Sequence, residues 1–472
     1  MSRLVFIHEW MRLWRTPRLV ALLALAALLL AMTTWWSAST DARQIALQEQ
    51  AAGEARAQWL GQGATNPHGM AHFGDFLFRP NGPLARIDKG VQAQMGQVLR
   101  VEGHSRAIPL ATAASAAGPL ARFGRFDPAF LLQNIVPLLL ILVGAGLVIE
   151  GRSTRREWML AHGVSARAFL WGQSGFLAAM GLCALVIVIT TTVLASPVPL
   201  ASEDLPRLAG MFGAYALFLI ACSALIVVVS ALSRSATAAI LVLIGAWIIG
   251  TTVLPQATGT LVATIEPLPS RDVFEAAMRE TRSAQIDAHN PADRRLAEME
   301  AELMAKYGVS TREDLPVNFD GIAMQIDEEI GNAIWDEHFG ALEAQMREQN
   351  RIASMVSLFN LFQAIRAVSM TFAGTDLVHD IAFQSEAEDY RRELVGALNH
   401  EHAYGGSTTG DWSFETDAAF FAGLAPFEYP ATPISAVIGS RFVELAALLL
   451  WTLAAFAALV LAGRRLERGY AA

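Results

Sequence analysis

The sequence has little cysteine and little charge. Its two cysteines, Cys183 and Cys222, both lie inside apolar runs, which excludes a disulfide framework and a cysteine-based zinc site. Charged residues make up 17% of the 472 residues, whereas a soluble domain has about 25%. With 53% hydrophobic residues and a mean hydropathy of +0.37, this shortage excludes both an ordinary soluble enzyme and a disordered chain.

The sequence signatures of common catalytic sites are also missing. The only lysines, Lys89 and Lys306, follow no phosphate-binding loop, so we predict no ATP site in this chain. There is no GxSxG, CxxC or HExxH motif. His400 and His402 are the only tight histidine pair, and two residues apart on a helix they would face different directions; only a strand or a loop would let them chelate a metal. We therefore predict no catalytic residue, no resident cofactor or metal, no nucleic-acid partner and no enzyme activity of the chain itself.

Long apolar runs are what the sequence has in abundance. A membrane-spanning helix needs about 20 mostly apolar residues, and six runs meet this requirement. They predict an all-α polytopic membrane protein with spans at 19–37, 129–149, 169–194, 208–232, 236–254 and 443–462. Arg441 and Glu444 stand three residues apart at the entrance of the last span, where a helix would let them pair. Because no charge lies deep in a span, we expect any transport to draw energy from another subunit.

Basic residues set the expected orientation in the bilayer. Arginines dominate the N-terminal flank, the loop after the second span, the turn after the fourth span and the C-terminal tail. Six spans put these four segments on one side, which the positive-inside rule makes cytoplasmic. We therefore expect a multi-pass protein of a bacterial inner membrane with both termini in the cytoplasm. The predicted inner segments are 1–18, an amphipathic helix on the membrane surface, 150–168, the loop after the second span, and 463–472, the tail.

Two long segments, 38–128 and 255–433, are predicted on the outer side. In the first, 43–60 favours a helix that continues the first span, and 61–83 is rich in Gly, Asn, Pro and His, which is typical of a loop. Phe76 and Phe78 are spaced for one face of a short strand, although a local apolar patch is the simpler interpretation.

The second outer segment is long enough for a mainly helical domain. It carries about 30 acidic and 12 basic residues. An acidic outer surface is the simplest explanation, and a site for a cationic substrate or partner is the alternative. Apolar residues at near-helical spacing predict the buried face of its longest helix. They are Ile322, Ile326, Ile330, Ile334 and Phe339.

The loop between the second and third spans carries the most specific pattern. Its middle, 154–162, can form a short amphipathic helix with an apolar side and a basic side, and Gly163 ends that helix. An ordinary positively charged inner loop is the simplest interpretation. The order of an acid, a basic helix, Gly163-Val-Ser165 and an arginine is more specific than such a loop requires.

This loop resembles the coupling element of type-2 ABC exporter permeases. Glu150 falls on the glutamate of the family pattern, Gly163-Val-Ser165 falls on its Gly-Val-Ser, and Arg167 lies near its arginine. The central Gly-Thr of the family is replaced by Thr154 and Arg155, and Gly172-Gln173 replaces its Gly-Lys. The resemblance implies that the loop contacts an ATPase subunit. The residues it implicates are Glu150, Arg152, Arg155, Arg156, Glu157, Gly163 and Arg167.

The second outer segment resembles an uncharacterised subgroup of the same permeases, named only by a domain of unknown function (3526-like). The similar motifs are Asp314-Leu-Pro316, Ala373-Gly-Thr-Asp376 and Ala387-Glu-Asp-Tyr-Arg391 followed by Leu398-Asn399. The resemblance implies the permease subunit of an ATP-driven exporter. It also implies a second permease chain, identical or homologous, and two ATPase subunits that bind ATP and Mg²⁺; it implies no substrate.

Two other functions fit the same sequence. In the first, ATPase motion does mechanical or maturation work on outer partners without transport. In the second, the chain is a receptor-like membrane sensor. Six spans with a dedicated inner loop are more than a simple sensor needs.

Overall fold

The structure is a computed structural model, and it describes residues 1–82, 84–107, 109–112, 127–150, 162–196, 200–285, 294–430 and 432–471. Six helices in these ranges are long and apolar enough to cross a membrane. The structure therefore confirms the predicted class, an all-α polytopic membrane protein. The segment 255–433, predicted on the outer side, is called the outer domain below, and its described part is mainly helical.

The helices in chain order are α1 (Ser2–Trp14), α2 (Pro17–Leu60), α3 (Pro67–Phe73), α4 (Val136–Glu150), α5 (Ala166–Ala195), α6 (Leu205–Leu232), α7 (Ala236–Ile265), α8 (Arg271–Ser283), α9 (Arg294–Tyr307), α10 (Phe319–Val356), α11 (Leu361–Ala373), α12 (Leu377–Tyr404), α13 (Ala418–Gly423), α14 (Ile434–Ser440) and α15 (Phe442–Ala471). Helical turns at Pro128–Phe130 and Leu131–Ile135 lead directly into α4. The strands are β1 (Asp75–Phe78), β2 (Gly96–Val101) and β3 (Pro109–Thr112).

The six spanning helices are α2, α4 with its preceding turns, α5, α6, α7 and α15. They overlap the six predicted apolar runs. α2 has 44 residues and continues beyond the first apolar run to Leu60, which confirms that 43–60 is a helix continuous with the first span. One apolar core joins α4, α5, α6 and α15. Its fully buried members include Leu177, Phe218 and Leu459.

α11 is the unexpected member of this core. It has 13 residues, too few to cross a bilayer, and it follows the outer helix α10 in the chain. Nevertheless Ile365, Val368 and Phe372 are buried in the same apolar core as the spans. A Cβ atom at Gly210 of α6 would lie 2.5 Å from the Phe372 ring, so glycine permits this close packing. Part of the predicted outer domain is therefore inserted between the ends of the spans.

The first outer segment contains a small antiparallel sheet in the order β1-β2-β3. Leu77 of β1 lies opposite Leu99 of β2, and both are buried against Phe383 of α12. Phe76 and Phe78 belong to β1 and are half-buried on its other face. The strand suggested by their spacing is thus confirmed.

The outer helices begin and end largely where the local sequence predicts. The Ser270 side chain caps α8, and Gly308, with φ of +69°, follows the end of α9. The expected apolar stripe of α10 is wrong, however, because only Ile334 of its five residues is buried. The buried face of α10 lies to one side of that stripe. It consists of Phe319, Gly321, Ala323, Met324, Asp327, Glu328, Gly331 and Ile334.

Candidate functional site

The inner end of α5 is where the sequence places contact with an ATPase. Of the seven residues predicted there, Gly163 and Arg167 are described in full, and Glu150 is the last residue of α4, without a described side chain. The remaining four lie outside the described residues. They are Arg152, Arg155, Arg156 and Glu157.

Gly163-Val-Ser165 forms the turn that starts α5. Gly163 has φ of +83°, a conformation that glycine adopts without the strain other residues would carry. The Ser165 hydroxyl accepts a hydrogen bond of 3.2 Å from the Ala168 backbone N–H, which satisfies one of the free donors at the helix start. The turn therefore fixes where α5 begins.

Arg167 links the start of α5 to the end of α15. Its Nε lies 3.1 Å from the Glu467 carboxylate, and its backbone N–H also donates to that carboxylate at 3.3 Å. A negative group at a helix N-terminus is favoured by the helix dipole. Gly463 of α15 sits so close that a Cβ there would lie 2.5 Å from Arg167 Cγ. The two helix ends are therefore held in contact.

α1 packs along the same helix. A Cβ at Gly172 of α5 would lie 2.5 Å from the Val5 Cβ, so glycine is needed for this approach. The Trp10 ring lies edge-on to Phe176 with centroids 5.2 Å apart. α5 thus contacts α1, α2, α4, α6 and α15. α5 therefore packs against five other helices of the bundle.

A chain of hydrogen bonds joins four segments at the other end of the bundle. Gln133 Nε2 donates to the Tyr215 hydroxyl at 2.9 Å, and that hydroxyl lies 2.8 Å from the Ser369 hydroxyl of α11. Ser369 donates to Asp88 Oδ2 at 2.5 Å. Burial raises the pKa of Asp88. The chain ties the second span and α6 to α11 and to the first outer segment.

A second polar cluster clamps α15 to α11 and α12. Arg441 Nη1 lies 3.1 Å from the Glu444 carboxylate, which confirms the pair predicted from their spacing. Arg441 also donates to Asp376 at 2.8 Å and to the Thr371 hydroxyl at 2.7 Å. Burial raises the pKa of Asp376, but the hydrogen bond from His379 and the charge of Arg441 outweigh burial and hold that pKa well below its usual range.

A third cluster lies inside the outer domain and involves the Ala387–Arg391 motif. Arg391 is fully buried and donates to Glu388 at 2.9 Å and to Glu328 of α10 at 2.8 Å. Its guanidinium also donates to Asn332 and stacks 4.8 Å from the Trp335 ring centre. Burial raises the pKa of Glu328, but the hydrogen bond from His104 and the charge of Arg391 outweigh it and lower the pKa to about 2.

A cavity of about 860 Å³ opens between α8 and α10. Apolar side chains form most of its wall, among them Phe274, Trp335 and Phe339. Four arginines and two carboxylates also line it: Arg106, Arg271, Arg279, Arg282, Glu275 and Asp327. This lining suits an amphipathic molecule that is neutral or anionic. It does not favour the cationic substrate considered from the acidity of the segment.

These features define a multi-pass helical membrane protein with a folded outer domain. A protein-family profile described as "Domain of unknown function (DUF3526)" matches residues 273–430. The match covers the outer helices that carry Asp376 and Arg391, and it includes α11 but none of the six spans. Searches among curated proteins and among solved structures find no match to the chain.

Part of these clusters could be predicted from motifs and spacing. Asp376, Glu388 and Arg391 stood inside the quoted motifs, and Glu388 precedes Arg391 by three residues, a spacing that brings side chains together on a helix. No sequence pattern indicated the contact between Asp88 and Ser369, because 281 positions separate them in the chain. Only the packing of α11 against the spans brings them into contact.

Proposed function

We propose that the chain is the transmembrane subunit of an ATP-binding-cassette transporter, an exporter powered by a separate ATPase subunit. The observation that carries the proposal is the inner end of α5. There the Gly163–Ser165 turn connects the arginine-rich loop to a helix that contacts five others. A loop in this position could transmit a conformational change of a partner subunit to the spanning helices. The resemblance of the loop to permease coupling elements supports the same role.

The proposal assigns the ATP chemistry to the partner. Two ATPase subunits would bind ATP and Mg²⁺, and a second permease chain, identical or homologous, would complete the pathway. In this chain Glu150, Arg152, Arg155, Arg156 and Glu157 would face the ATPase. Gly163 would let the chain turn from the loop into α5, and Arg167 would anchor the start of α5 to α15 through Glu467.

A bacterial inner membrane, with both termini in the cytoplasm, is the location that fits this proposal. A reporter active only in the cytoplasm should therefore be active when fused after Ala472. The same reporter should be silent when inserted after Gly308, which is exposed and follows the end of α9. This insertion point leaves the buried faces of the outer domain intact. Activity at the Gly308 position in an inserted, full-length protein would refute the proposed orientation.

Coupling is tested by reversing charge in the loop. Arg155→Glu with Arg156→Glu should weaken docking of the ATPase, because an acidic docking cleft would lose its partners. A buried partner group left unpaired costs about 1–3 kcal/mol. The measurement is the permease-stimulated ATPase activity of the co-purified complex, together with the amount of ATPase retained.

The matched control for this test is Arg464→Glu with Arg465→Glu. Both of these arginines are exposed at the inner end of α15, so the control makes the same change in charge on the same side. It should leave ATPase retention and stimulation near wild type. If the loop variant behaves like the control, the assigned coupling role of the loop is wrong.

A second function, mechanical work on outer partners, is favoured by the insertion of α11. The outer domain is clamped to the spans through Arg441, Asp376 and Ser369 rather than tethered by a linker. Such a clamp would deliver motion of the spans to the outer domain. Reconstituted vesicles distinguish the two functions. An exporter carries an amphipathic compound across the bilayer with ATP, whereas a mechanical device hydrolyses ATP without moving any solute.

A further inference from the structure

We propose that His68, His72 and His104 form a site for a late first-row divalent metal ion on the outer domain, with Zn²⁺ the best fit. One ligand atom from each residue lies within 4.8 Å of the others. The Nε2 atoms of His68 and His72 are 3.1 Å apart. Two nitrogens bound to one tetrahedral zinc at about 2.0–2.1 Å lie about 3.3 Å from each other. The spacing therefore already matches a shared ion.

The first two ligands are placed by helix α3. The Asn66 side chain accepts a hydrogen bond of 3.0 Å from the Gly69 backbone N–H, and Pro67 occupies the first helical position. His68 and His72 are four residues apart, so they lie on the same face of the helix. The loop predicted at 61–83 is wrong here, because Pro67–Phe73 is a helix, and only a helix gives the spacing of four this meaning.

The third ligand is placed by the turn after β2. His104 has φ of +62°, a left-handed conformation that is uncommon outside glycine. The Gly103 backbone N–H donates to the Ala71 carbonyl of α3 at 2.9 Å, and the His104 backbone N–H donates to the Glu328 carboxylate. Strained residues of this kind persist where the surroundings fix them, and they concentrate at functional sites.

Carboxylates lie behind the His104 ring, as they do behind many metal-bound histidines. His104 Nδ1 is 3.1 Å from Glu328 and 3.8 Å from Asp327. A carboxylate at Nδ1 favours the tautomer in which Nε2 is the metal ligand. Three arginines are close: Arg391 pairs with Glu328, and Arg282 pairs with Asp327. Arg100 donates to the His72 carbonyl and pairs with Glu102. Each arginine thus has carboxylate or carbonyl partners that offset its charge.

The donor set selects the kind of ion. Imidazole ligands suit Zn²⁺, Cu²⁺ and Ni²⁺, whereas Ca²⁺ and Mg²⁺ prefer oxygen. Three protein ligands leave a fourth position for water or for an atom of a bound molecule. His72 is exposed, which gives the ion a route from the outer solution. His402 is buried, its Nε2 lies 3.3 Å from the Asn318 amide, and it does not belong to the group of three whose ligand atoms lie within 4.8 Å of one another.

The test titrates Zn²⁺ into the full-length protein in detergent, purified with a histidine-free tag and stripped with a chelator. A competing chromogenic chelator reports the affinity. Wild type should bind one Zn²⁺ per chain. His72→Ala and His104→Gln should each weaken binding by at least about 100-fold, the upper end of what loss of an outer-shell partner costs. Co²⁺ in place of Zn²⁺ should give the visible absorption of a tetrahedral nitrogen site in wild type only.

His400→Gln is the matched control, because His400 is exposed on α12 and stacks on Tyr404 away from the cluster. It should bind Zn²⁺ like wild type. If His68 and His72 only share a hydrogen bond, wild type will bind no more Zn²⁺ than His72→Ala does, and the proposal is overturned. The unfolding temperature of His72→Ala, measured in chelator, should equal that of wild type. Equal temperatures would show that loss of Zn²⁺ binding does not come from a folding defect.

Discussion

Replacing Arg391 with methionine is expected to destabilise the outer domain by about 3–5 kcal/mol, the usual cost of removing one partner from a buried ion pair. Arg391 has no exposed surface, and the side chains of Glu328 and Glu388 are only 3% and 5% exposed. Methionine fills similar volume but leaves the buried Glu328 carboxylate without an arginine, whereas Glu388 keeps its pair with Arg392. The measurement is urea-dependent cleavage of the outer domain by protease in the detergent-purified protein.

Arg347→Gln is the control for this variant. Arg347 pairs with Glu343 one helical turn away on α10, and its side chain is 60% exposed. Such a pair contributes about 0.3–0.5 kcal/mol. The midpoint of cleavage should therefore move far more for Arg391→Met than for Arg347→Gln. Equal midpoints would mean that the buried cluster does not hold α10 and α12 together.

Local sequence patterns were sufficient to predict the spans and the contacts within one helix. Apolar runs of about 20 residues identified all six spanning helices, because burial in lipid requires that composition. The Arg441–Glu444 pair followed from a spacing of three residues. The start of α8 at Ser270 followed from its capping side chain. Each of these depends only on residues close together in the chain.

Contacts between segments that are distant in the chain could not be predicted, because local sequence patterns do not report on them. α10 buries Asp327 and Glu328 while Ile322 and Ile326 remain half-buried, so its apolar periodicity pointed to the wrong face. Carboxylates can be buried there because Arg391, on another helix, offsets the charge of Glu328. A rule that places apolar residues inside cannot anticipate a charged core that is satisfied from elsewhere.

The position of α11 in the membrane region could not be predicted from local sequence patterns either. Its 13 residues are too few for a span, so the sequence left it in the outer domain. The structure packs it against α6 and α15, where Ser369 and Thr371 meet polar partners from other segments. A short helix of this kind satisfies its own backbone and can therefore enter the apolar core. Its position makes the outer domain and the spans one packed body.

Replacing Arg441 with methionine is expected to break this connection. Asp376 and Glu444 are almost completely buried and would lose the guanidinium that joins them. The expected cost is again about 3–5 kcal/mol, because both buried carboxylates would lose their arginine. Asp376 would keep only its hydrogen bonds to His379 and Thr371, and Glu444 only the one from Ser354. The spans should still insert, since their hydrophobicity does not change. In the purified complex, ATPase subunits should remain bound while the outer domain becomes more sensitive to protease near Asn360, where α10 passes into α11.

Rescue by neutral partners separates loss of charge balance from loss of packing. Adding Glu444→Gln to Arg441→Met removes one of the stranded charges, so it should restore a large part of the protease resistance. Glu444→Gln alone keeps Arg441 with Asp376 and should have a smaller effect than Arg441→Met. A double-mutant cycle over these variants gives the coupling energy of the pair. If the second substitution makes the defect worse, Arg441 acts through packing, and the ionic clamp between α15 and the outer domain is not what holds them together.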